Sequence, residues 1–297
     1  MRFFKETNIQ FIKFSKTAII LSSVFLLISL VSIFLIRGFN LGIDFTGGTL
    51  VQVQFEKETT TGEIRNALAS VNLQNSVIQK STGTNEYMIR VAQMNDENDV
   101  PTLVTQGLKK INDSGFEIRK TEKVGPKIGQ ELRRNTIYAI VFAILVIGVY
   151  ISIRFQFRFA IGAVVALIHD VLFTLGIFSL AHLEISLSTI AAFLTIVGYS
   201  LNDTIVLYDR VREDMKIMRF DPIEAIINKS INQTLSRTII TSLTTFFVVF
   251  VLIFASGEVR VFAIAMMIGV VVGTYSSIYV AGPVVIAWQN KFNSKKN

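Results

Sequence analysis

The chain has 297 residues and a formal net charge of +7, and 51% of its residues are hydrophobic, 11% aromatic and 17% charged. This composition, with a mean hydropathy of +0.52, is typical of an integral membrane protein. The absence of cysteine excludes disulfides, iron–sulfur clusters and thiolate-bound metals. Neither a P-loop nor an H-E-x-x-H motif occurs, which disfavours a nucleotide-driven pump and a metalloprotease. We therefore predict a protein that is not an enzyme and has no catalytic residue, metal site or cofactor.

Six apolar runs are long enough to cross a bilayer, which requires about 20 residues each. All are predicted to be helices, because in lipid only helices and closed barrels satisfy their own backbone hydrogen bonds. The runs are 17–36, 136–153, 160–181, 185–207, 238–254 and 261–287. The predicted organisation is transmembrane helix 1 at 17–36, an inserted segment at 37–135 and a bundle of transmembrane helices 2 to 6 at 136–287.

Basic residues predict the orientation of these helices. They concentrate before the first run, after the second, between the fourth and fifth and after the sixth, whereas the short loops on the opposite side hold only Arg260. By the positive-inside rule, both termini, 1–16 and 288–297, are cytoplasmic, and 37–135 is extracytoplasmic. The positive charge then reflects topology, and we expect no nucleic-acid partner. A nucleic-acid or partner patch at 210–219 is the rival interpretation.

The inserted segment is polar and charged, as expected for a small soluble domain. Its alternating and helical spacings predict the order β-α-β-β-α-β, the ferredoxin-like split motif of an α+β domain. The predicted strands are 49–56, 76–81, 87–92 and 116–121, and the predicted helices are 61–71 and 100–111. We expect this domain to bind a partner or relay motion, and simple packing against a partner is the alternative.

A glycine-rich segment, GFNLGIDFTGGTL at 38–50, joins the first helix to this domain. Gly42, Gly47 and Gly48 permit tight backbone geometry, while Asp44 and Thr46 can cap freed amides. The segment is either a hinge or a rigid tight turn.

Ionisable residues inside the apolar runs are the candidate functional groups, because a charge in the membrane interior is costly. Asp203 lies in the run 185–207, and Asp170 lies in an earlier run next to His169. Arg237 opens the run that follows Asp203. Two carboxylates and a cation in an apolar bundle indicate a proton path.

Four segments of the chain resemble one known family. They are the glycine-rich segment, IHDVLFT at 168–174, GYSLNDTIVLYDRVRE at 198–213 and SRTIITSLTT at 236–245. They occur in the same order and on the same topological elements as in the bacterial protein-export membrane proteins of the SecD/SecF family, on its SecF side. This family lies within the resistance-nodulation-division transporter superfamily. The resemblance covers nearly the whole chain.

The resemblance implies an accessory subunit of the Sec translocase in the bacterial inner membrane. Such a subunit uses the proton-motive force to promote translocation and release of an unfolded preprotein on the far side of the membrane. The implied partners are a SecD-like subunit, the SecYEG channel, the SecA ATPase, YajC and the lipid bilayer. Some members fuse the SecD and SecF halves; here the resemblance implies a separate SecD-like subunit that packs as a pseudo-symmetric repeat.

The resemblance also implies roles for individual residues. The Asp of the Asn-Asp-Thr motif and the Arg of the Ser-Arg-Thr motif are implicated in proton conduction, and these are Asp203 and Arg237 here. A carboxylate beside an arginine can change between charged and neutral when the pair separates. Antiparallel packing of their helices would place the two at similar depth. His169 and Asp170 also resemble a family motif.

Polar neighbours of Asp203 are predicted to support this role. Tyr199 and Ser200 precede it by four and three residues, so they share its helical face and can hydrogen-bond toward it or toward water. Asn202 and Thr204 flank that stripe.

Structural alternatives remain for each of these groups. Asp203 can form a permanent ion pair, Arg237 can snorkel to the interface, and Asp170 can merely bond another helix. Gly269 and Gly273 form a G-x-x-x-G, which is either a chance spacing or a tight helix contact. At the level of function, the alternatives are half of a proton-coupled exporter for small molecules or lipids and a purely structural translocase subunit.

Overall fold

The computed structural model describes residues 7–81, 84–92, 99–111, 115–255 and 257–293. The ends of the two predicted cytoplasmic termini, 1–6 and 294–297, lie outside the described residues. In chain order the elements are α1 (Phe11–Val31), a π-helical turn (Ser32–Ile36), β1 (Asn40–Leu41), α2 (Ile43–Thr46), β2 (Gly48–Phe55), α3 (Thr61–Ala69), β3 (Val77–Lys80), β4 (Glu86–Val91), α4 (Val100–Leu108), β5 (Phe116–Val124), α5 (Pro126–Arg154), α6 (Phe157–Leu180), β6 (Glu184–Ile185), α7 (Leu187–Ile217), α8 (Ile223–Leu252), α9 (Gly257–Ser276), a second π-helical turn (Ser277–Ala281) and α10 (Gly282–Asn293).

The inserted domain has the predicted ferredoxin-like fold. Strands β2 to β5 form an antiparallel sheet in the order β3-β4-β2-β5, and α3 and α4 share one core with it. The buried positions recur every two residues on the strands and every four on the helices, so each element turns one face inward. These side chains include Val51, Val53, Ile64, Leu68, Tyr87, Ile89, Val104 and Leu108.

A capping box begins α3 at the predicted position. The Thr60 side chain accepts a hydrogen bond from the Glu63 backbone N–H, and the Glu63 carboxylate accepts one from the Thr60 N–H. The hydrogen bonds that the Glu63 carboxylate accepts from the Thr60 N–H and from the Thr60 hydroxyl hold the pKa of Glu63 below its ordinary value.

Within the described residues, six helical segments are long and apolar enough to cross a membrane, as predicted. Several extend beyond the apolar runs, since α5 begins at Pro126, α7 ends at Ile217 and α8 begins at Ile223. The apolar runs delimit only the part of each helix that suits lipid. Beyond that part the helices continue with polar residues and keep their backbone hydrogen bonds. One consequence is a correction: Arg237 lies in the interior of α8 and not at the start of a helix.

The last spanning segment is irregular in its middle. Helix α9 passes into α10 through the π-helical turn, and Pro283 is the second residue of α10. Proline lacks the N–H of a helical hydrogen bond and crowds the preceding turn, which a wider π turn accommodates. Tyr208 of α7 donates a hydrogen bond to the Ala281 carbonyl at 3.3 Å. The irregular turn therefore remains packed and hydrogen-bonded.

Helices α7 and α9 approach closely at the two glycines of the G-x-x-x-G. A Cβ added to Gly269 would lie 2.2 Å from Ile196, and one added to Gly273 would lie 3.0 Å from Ser200. The pattern is therefore a tight helix contact within this chain, and not a chance spacing.

Helices α1 and α6 pack in parallel through small residues. Ser22 of α1 contacts His169, and a Cβ added to Gly176 would lie 2.0 Å from the Oγ of Ser29. Both contacts have the same separation in sequence, so the two helices keep one register along their length. The buried serines of α1 and the following turn are Ser15, Ser22, Ser29 and Ser32.

Candidate functional site in the membrane bundle

Asp170 lies at the centre of a buried polar cluster that joins three helices. Its side chain on α6 is 1% exposed. Its Oδ2 accepts hydrogen bonds from Ser200 Oγ of α7 at 2.6 Å and from Ser276 Oγ of α9 at 2.7 Å. Its Oδ1 lies 2.9 Å from His169 Nδ1. Because hydrogen bonds strengthen in a medium of low dielectric constant, the state of this carboxyl group affects the packing of α6, α7 and α9 together.

His169 extends the cluster to α1. Its Nε2 hydrogen-bonds Ser22 Oγ, and its ring centroid lies 6.1 Å from that of Tyr275. Tyr275 in turn donates to the Ala18 carbonyl of α1 at 2.7 Å. The imidazole therefore bridges a hydroxyl and a carboxyl group, an arrangement in which a ring can hold or pass a proton. His169 and Asp170 do bond other helices, and a relay role stays a prediction.

Asp203 lies on α7, one turn beyond Ser200, in a different environment. Its side chain is 5% exposed, and among the described residues its buried Oδ2 has no hydrogen-bond partner. It lines a cavity of about 10 Å³ together with Thr234 and Thr238 of α8 and Ser277 of the second π-helical turn. That is about the space needed by one water-sized group. An unpartnered carboxyl oxygen beside a small polar cavity is chemically suited to take up a proton.

Arg237 does not form the predicted ion pair. Its side chain is exposed on α8, and no ion pair joins it to Asp203 in the part of the chain that the structure describes. It is nevertheless close enough to act on the Asp203 carboxyl group electrostatically, and the hydroxyl of Ser242 on the same helix is within hydrogen-bonding reach of that carboxyl group. The permanent ion pair proposed as an alternative for Asp203 is therefore absent in this state.

The polar residues predicted to support Asp203 mostly point elsewhere. Ser200 donates to Asp170, Tyr199 donates to the Thr241 carbonyl at 3.3 Å, and Asn202 is exposed. Thr204 donates to the Ser200 carbonyl of its own helix at 3.3 Å. Ser200 therefore faces Asp170 of α6, whereas Tyr199 faces α8, and a supporting role for these residues stays a prediction.

The glycine-rich junction is tightly packed. Gly47 and Gly48 have φ angles of +74° and +129°, a region that other residues rarely adopt. A Cβ added to Gly48 would lie 2.5 Å from the Val91 carbonyl oxygen, and one added to Gly42 would lie 2.8 Å from Glu184 Oε1. This packing favours the rigid turn, and a hinge movement stays a prediction.

The junction docks on the loop between α6 and α7. Strand β1 pairs in parallel with β6, and the Gly42 N–H donates to the Ile185 carbonyl at 2.8 Å. Asp44 Oδ2 accepts a hydrogen bond at 2.8 Å from the N–H of Leu187, the first residue of α7. Asp44 thus satisfies a freed amide as predicted, but on another helix.

An ion pair that the sequence did not predict joins the inserted domain to the same loop. Arg90 Nη2 of β4 lies 2.6 Å from Glu184 Oε2, without the alignment of a hydrogen bond. Arg90 is 7% exposed and Glu184 is 17% exposed. Burial raises the pKa of Glu184 against the opposing effect of Arg90, and burial lowers the pKa of Arg90. Both directions are those expected where burial opposes the charged form of each group and the ion pair offsets only part of that effect.

Comparison with known proteins identifies the family. The family model "Protein export membrane protein SecD/SecF, C-terminal" matches residues 104–291, and the model "SecD/SecF GG Motif" matches residues 32–59. The second match covers the glycine-rich junction, and the first covers the helices that carry Asp170 and Asp203.

Curated relatives are similar over almost the whole chain. The chain is 47% identical over 290 residues to the protein translocase subunit SecF of Magnetococcus marinus, covering 96% of this chain and 93% of the relative. It is 49% identical over 294 residues to the protein translocase subunit SecF of Rhodothermus marinus, covering 96% and 95%.

A solved structure has the same architecture. The crystal structure of SecDF, a translocon-associated membrane protein from Thermus thermophilus, matches with a TM-score of 0.82 and 38% identity. The match covers 93% of this chain and 38% of that chain, so this chain spans about two fifths of the fused protein. With the two family models and nearly full-length relatives in agreement, the chain belongs to the SecD/SecF family of protein-export membrane proteins.

Proposed function

We propose that this chain is an accessory subunit of the Sec protein translocase that, with a SecD-like subunit, couples the proton-motive force to preprotein export. Its family membership supports the export role. SecYEG, SecA, YajC and an unfolded preprotein are the further partners, and both termini face the cytoplasm. The loops near Glu184 and Arg260 then lie with the inserted domain on the far side of the inner membrane.

The single observation that carries proton coupling is the set of hydrogen bonds around Asp170. One carboxyl group receives hydroxyl groups from α7 and α9 and connects through His169 to α1. Gain or loss of one proton therefore changes contacts of four helices at once, which a peripheral ionisable group would not do. Asp203 contributes the second carboxyl group, because among the described residues its Oδ2 has no hydrogen-bond partner and its side chain lines a small cavity.

A path from these carboxyl groups to the domain runs through α6 and α7. These helices carry Asp170 and Asp203, and their connecting loop carries Glu184, which pairs with Arg90 of the domain. A relative shift of α6 and α7 would therefore move the attachment point of the domain. In this proposal Arg237 faces the SecD-like subunit or water and acts on Asp203 when the two approach.

The test is gradient-stimulated export into inverted membrane vesicles that hold the translocase with this subunit. Asp203→Asn and Asp170→Asn keep side-chain size but remove the titratable proton, so each is expected to abolish the stimulation while the protein still inserts and binds its partner. Asn202→Ala is the matched control, because this side chain is exposed and, within the described residues, forms no hydrogen bond with either carboxyl group. If both Asp variants retain full stimulation, the chain is a purely structural subunit.

A further inference from the structure

A cavity of about 910 Å³ opens at the end of the bundle remote from the inserted domain. It lies between the segment that leads into α1 and the first half of α8, and Arg210 of α7 lies at its margin. Leu235 and Ser236 in its wall lie within one helical turn of the apolar run 238–254 of α8, and Lys13 in its wall lies about one turn before the run 17–36 of α1. The cavity is therefore placed at the level of the lipid headgroups.

The cavity has a preformed wall. The side chain of Asn232 accepts a hydrogen bond from the Ile9 N–H and donates one to the Ile9 carbonyl, both at 2.8 Å. Asn228 accepts from the Ile12 N–H at 3.2 Å and donates to the Ile9 carbonyl at 3.1 Å. These two side chains hold the segment before α1 against α8 much as a neighbouring strand would, so the cavity does not depend on a ligand to form.

The charge available inside the cavity is positive. Among the described residues neither Lys13 nor Lys229 has a carboxylate partner, and both side chains are exposed. Arg210 is already paired with Glu213 and Asp214 at 3.0 Å each. Among the described residues of the wall, the acidic one is Glu224, whose Oε1 accepts a hydrogen bond from Asn290 Nδ2 at 2.9 Å. Two ammonium groups are thus left to attract an anion.

The surface beside the cavity is apolar. On α1, Phe14 is 56% exposed and Leu21 is 66% exposed, so the helix presents a hydrophobic face that continues from the cavity toward the middle of the membrane. A ligand with an anionic head and hydrocarbon chains matches both the basic cavity and the apolar face of α1. A small soluble anion matches only the cavity. Basic pockets between spanning helices commonly take anionic headgroups.

We propose that this cavity binds the phosphate headgroup of an anionic phospholipid through Lys13 and Lys229, with the acyl chains along the exposed face of α1. Bound lipid would add a bridge between Lys13 of α1 and Lys229 of α8, the helix that carries Arg237, to the hydrogen bonds already made by the two asparagines. The inference concerns a second site and does not depend on the proton-coupled role proposed above.

The experiment titrates the purified full chain in neutral detergent and counts bound molecules by native mass spectrometry. The probes are phosphatidylglycerol, phosphatidylcholine with the same chains, and glycerol phosphate. We expect one phosphatidylglycerol to bind most tightly. Since each lysine near an anionic headgroup contributes roughly fivefold in affinity, Lys13→Gln with Lys229→Gln is expected to weaken that binding by roughly 20- to 30-fold.

The matched control is Arg212→Gln with Lys216→Gln, which removes the same charge at the same end of the bundle but outside the cavity wall. It should change the affinity by less than about twofold. Equal losses in the two double variants would overturn the proposal in favour of diffuse attraction. Glycerol phosphate binding as tightly as phosphatidylglycerol would overturn the lipid as ligand, and equal binding of phosphatidylcholine would overturn headgroup recognition.

Discussion

Loss of Arg90 from its ion pair with Glu184 is expected to loosen the inserted domain from the membrane bundle. Removing Arg90 leaves the Glu184 carboxylate buried without a partner, and breaking a buried pair in this way costs about 3–5 kcal/mol. Because Glu184 is still 17% exposed, we expect the lower end of that range, about 3 kcal/mol. This corresponds to a factor of about 150 in the docking equilibrium of the domain.

The assay is the distance between two spin labels, one at Lys109 in the domain and one at Val259 in the bundle. The chain has no native cysteine, so labelled positions can be introduced singly. The parent protein is expected to show one narrow distance distribution, and Arg90→Gln a broad one. In the double variant with Glu184→Gln, neither partner is left as an unpaired charge, so part of the docking should return. Arg119→Gln is the control, since its pair with Glu117 is exposed and worth about 0–1 kcal/mol.

Docking should also depend on pH. The pKa of Glu184 in the docked state lies above its ordinary value of 4.5, because burial penalises the carboxylate. The docked state therefore binds the proton of Glu184 more tightly than the undocked state does. The contribution of this protonation to docking is complete below pH 4.5 and is lost as pH rises through the raised pKa. Glu184→Gln should remove this dependence. The reasoning is refuted if Arg90→Gln keeps the narrow distribution, or if Glu184→Gln keeps the same pH profile.

Three further outcomes are expected from single substitutions. Gly48→Ala should lower the free energy of unfolding by about 2 kcal/mol or more, because the φ of Gly48 is +129° and an added Cβ would overlap the Val91 carbonyl. In thermal melts the control Gly125→Ala, whose added Cβ meets nothing within 4 Å, should stay near the parent. Gly269→Ala should separate α7 and α9 and lower the melting temperature in detergent, whereas Gly198→Ala has open space and should not; equal melting temperatures would contradict the tight contact. Ser276→Ala removes one hydrogen-bond donor to Asp170 and should lower gradient-stimulated export by about tenfold or less, whereas Asp170→Asn should abolish it. An identical defect in the two variants would argue for loss of packing alone.

The inserted domain and the six spans could be predicted because their signals are local. Val51, Val53 and Phe55 alternate along one strand, and Ile64 and Leu68 are one helical turn apart, so periodicity alone gives the element types. The apolar runs likewise predicted which part of each helix lies in lipid. They did not predict where α8 begins, because the first half of α8 is helical but carries many polar residues.

The partners of the buried polar groups depended on tertiary packing. Spacing placed Ser200 on the same face as Asp203, yet the close approach of α7 to α6 and α9 directs its hydroxyl to Asp170. Arg90 and Glu184 lie on different units of the chain and form no sequence motif. A usable signal did exist on α1, where Ser15, Ser22 and Ser29 recur every seven residues in an apolar helix and mark its buried face.

The central claim is that a proton at a carboxyl group inside the bundle moves the inserted domain. The most direct measurement is the Lys109–Val259 distance in proteoliposomes containing this chain and its SecD-like subunit, before and after a pH gradient is imposed. The account predicts that the distance changes in the parent and in Asn202→Ala, and that it stays constant in Asp170→Asn and Asp203→Asn. An equal change in the parent and in both Asp variants would contradict the claim.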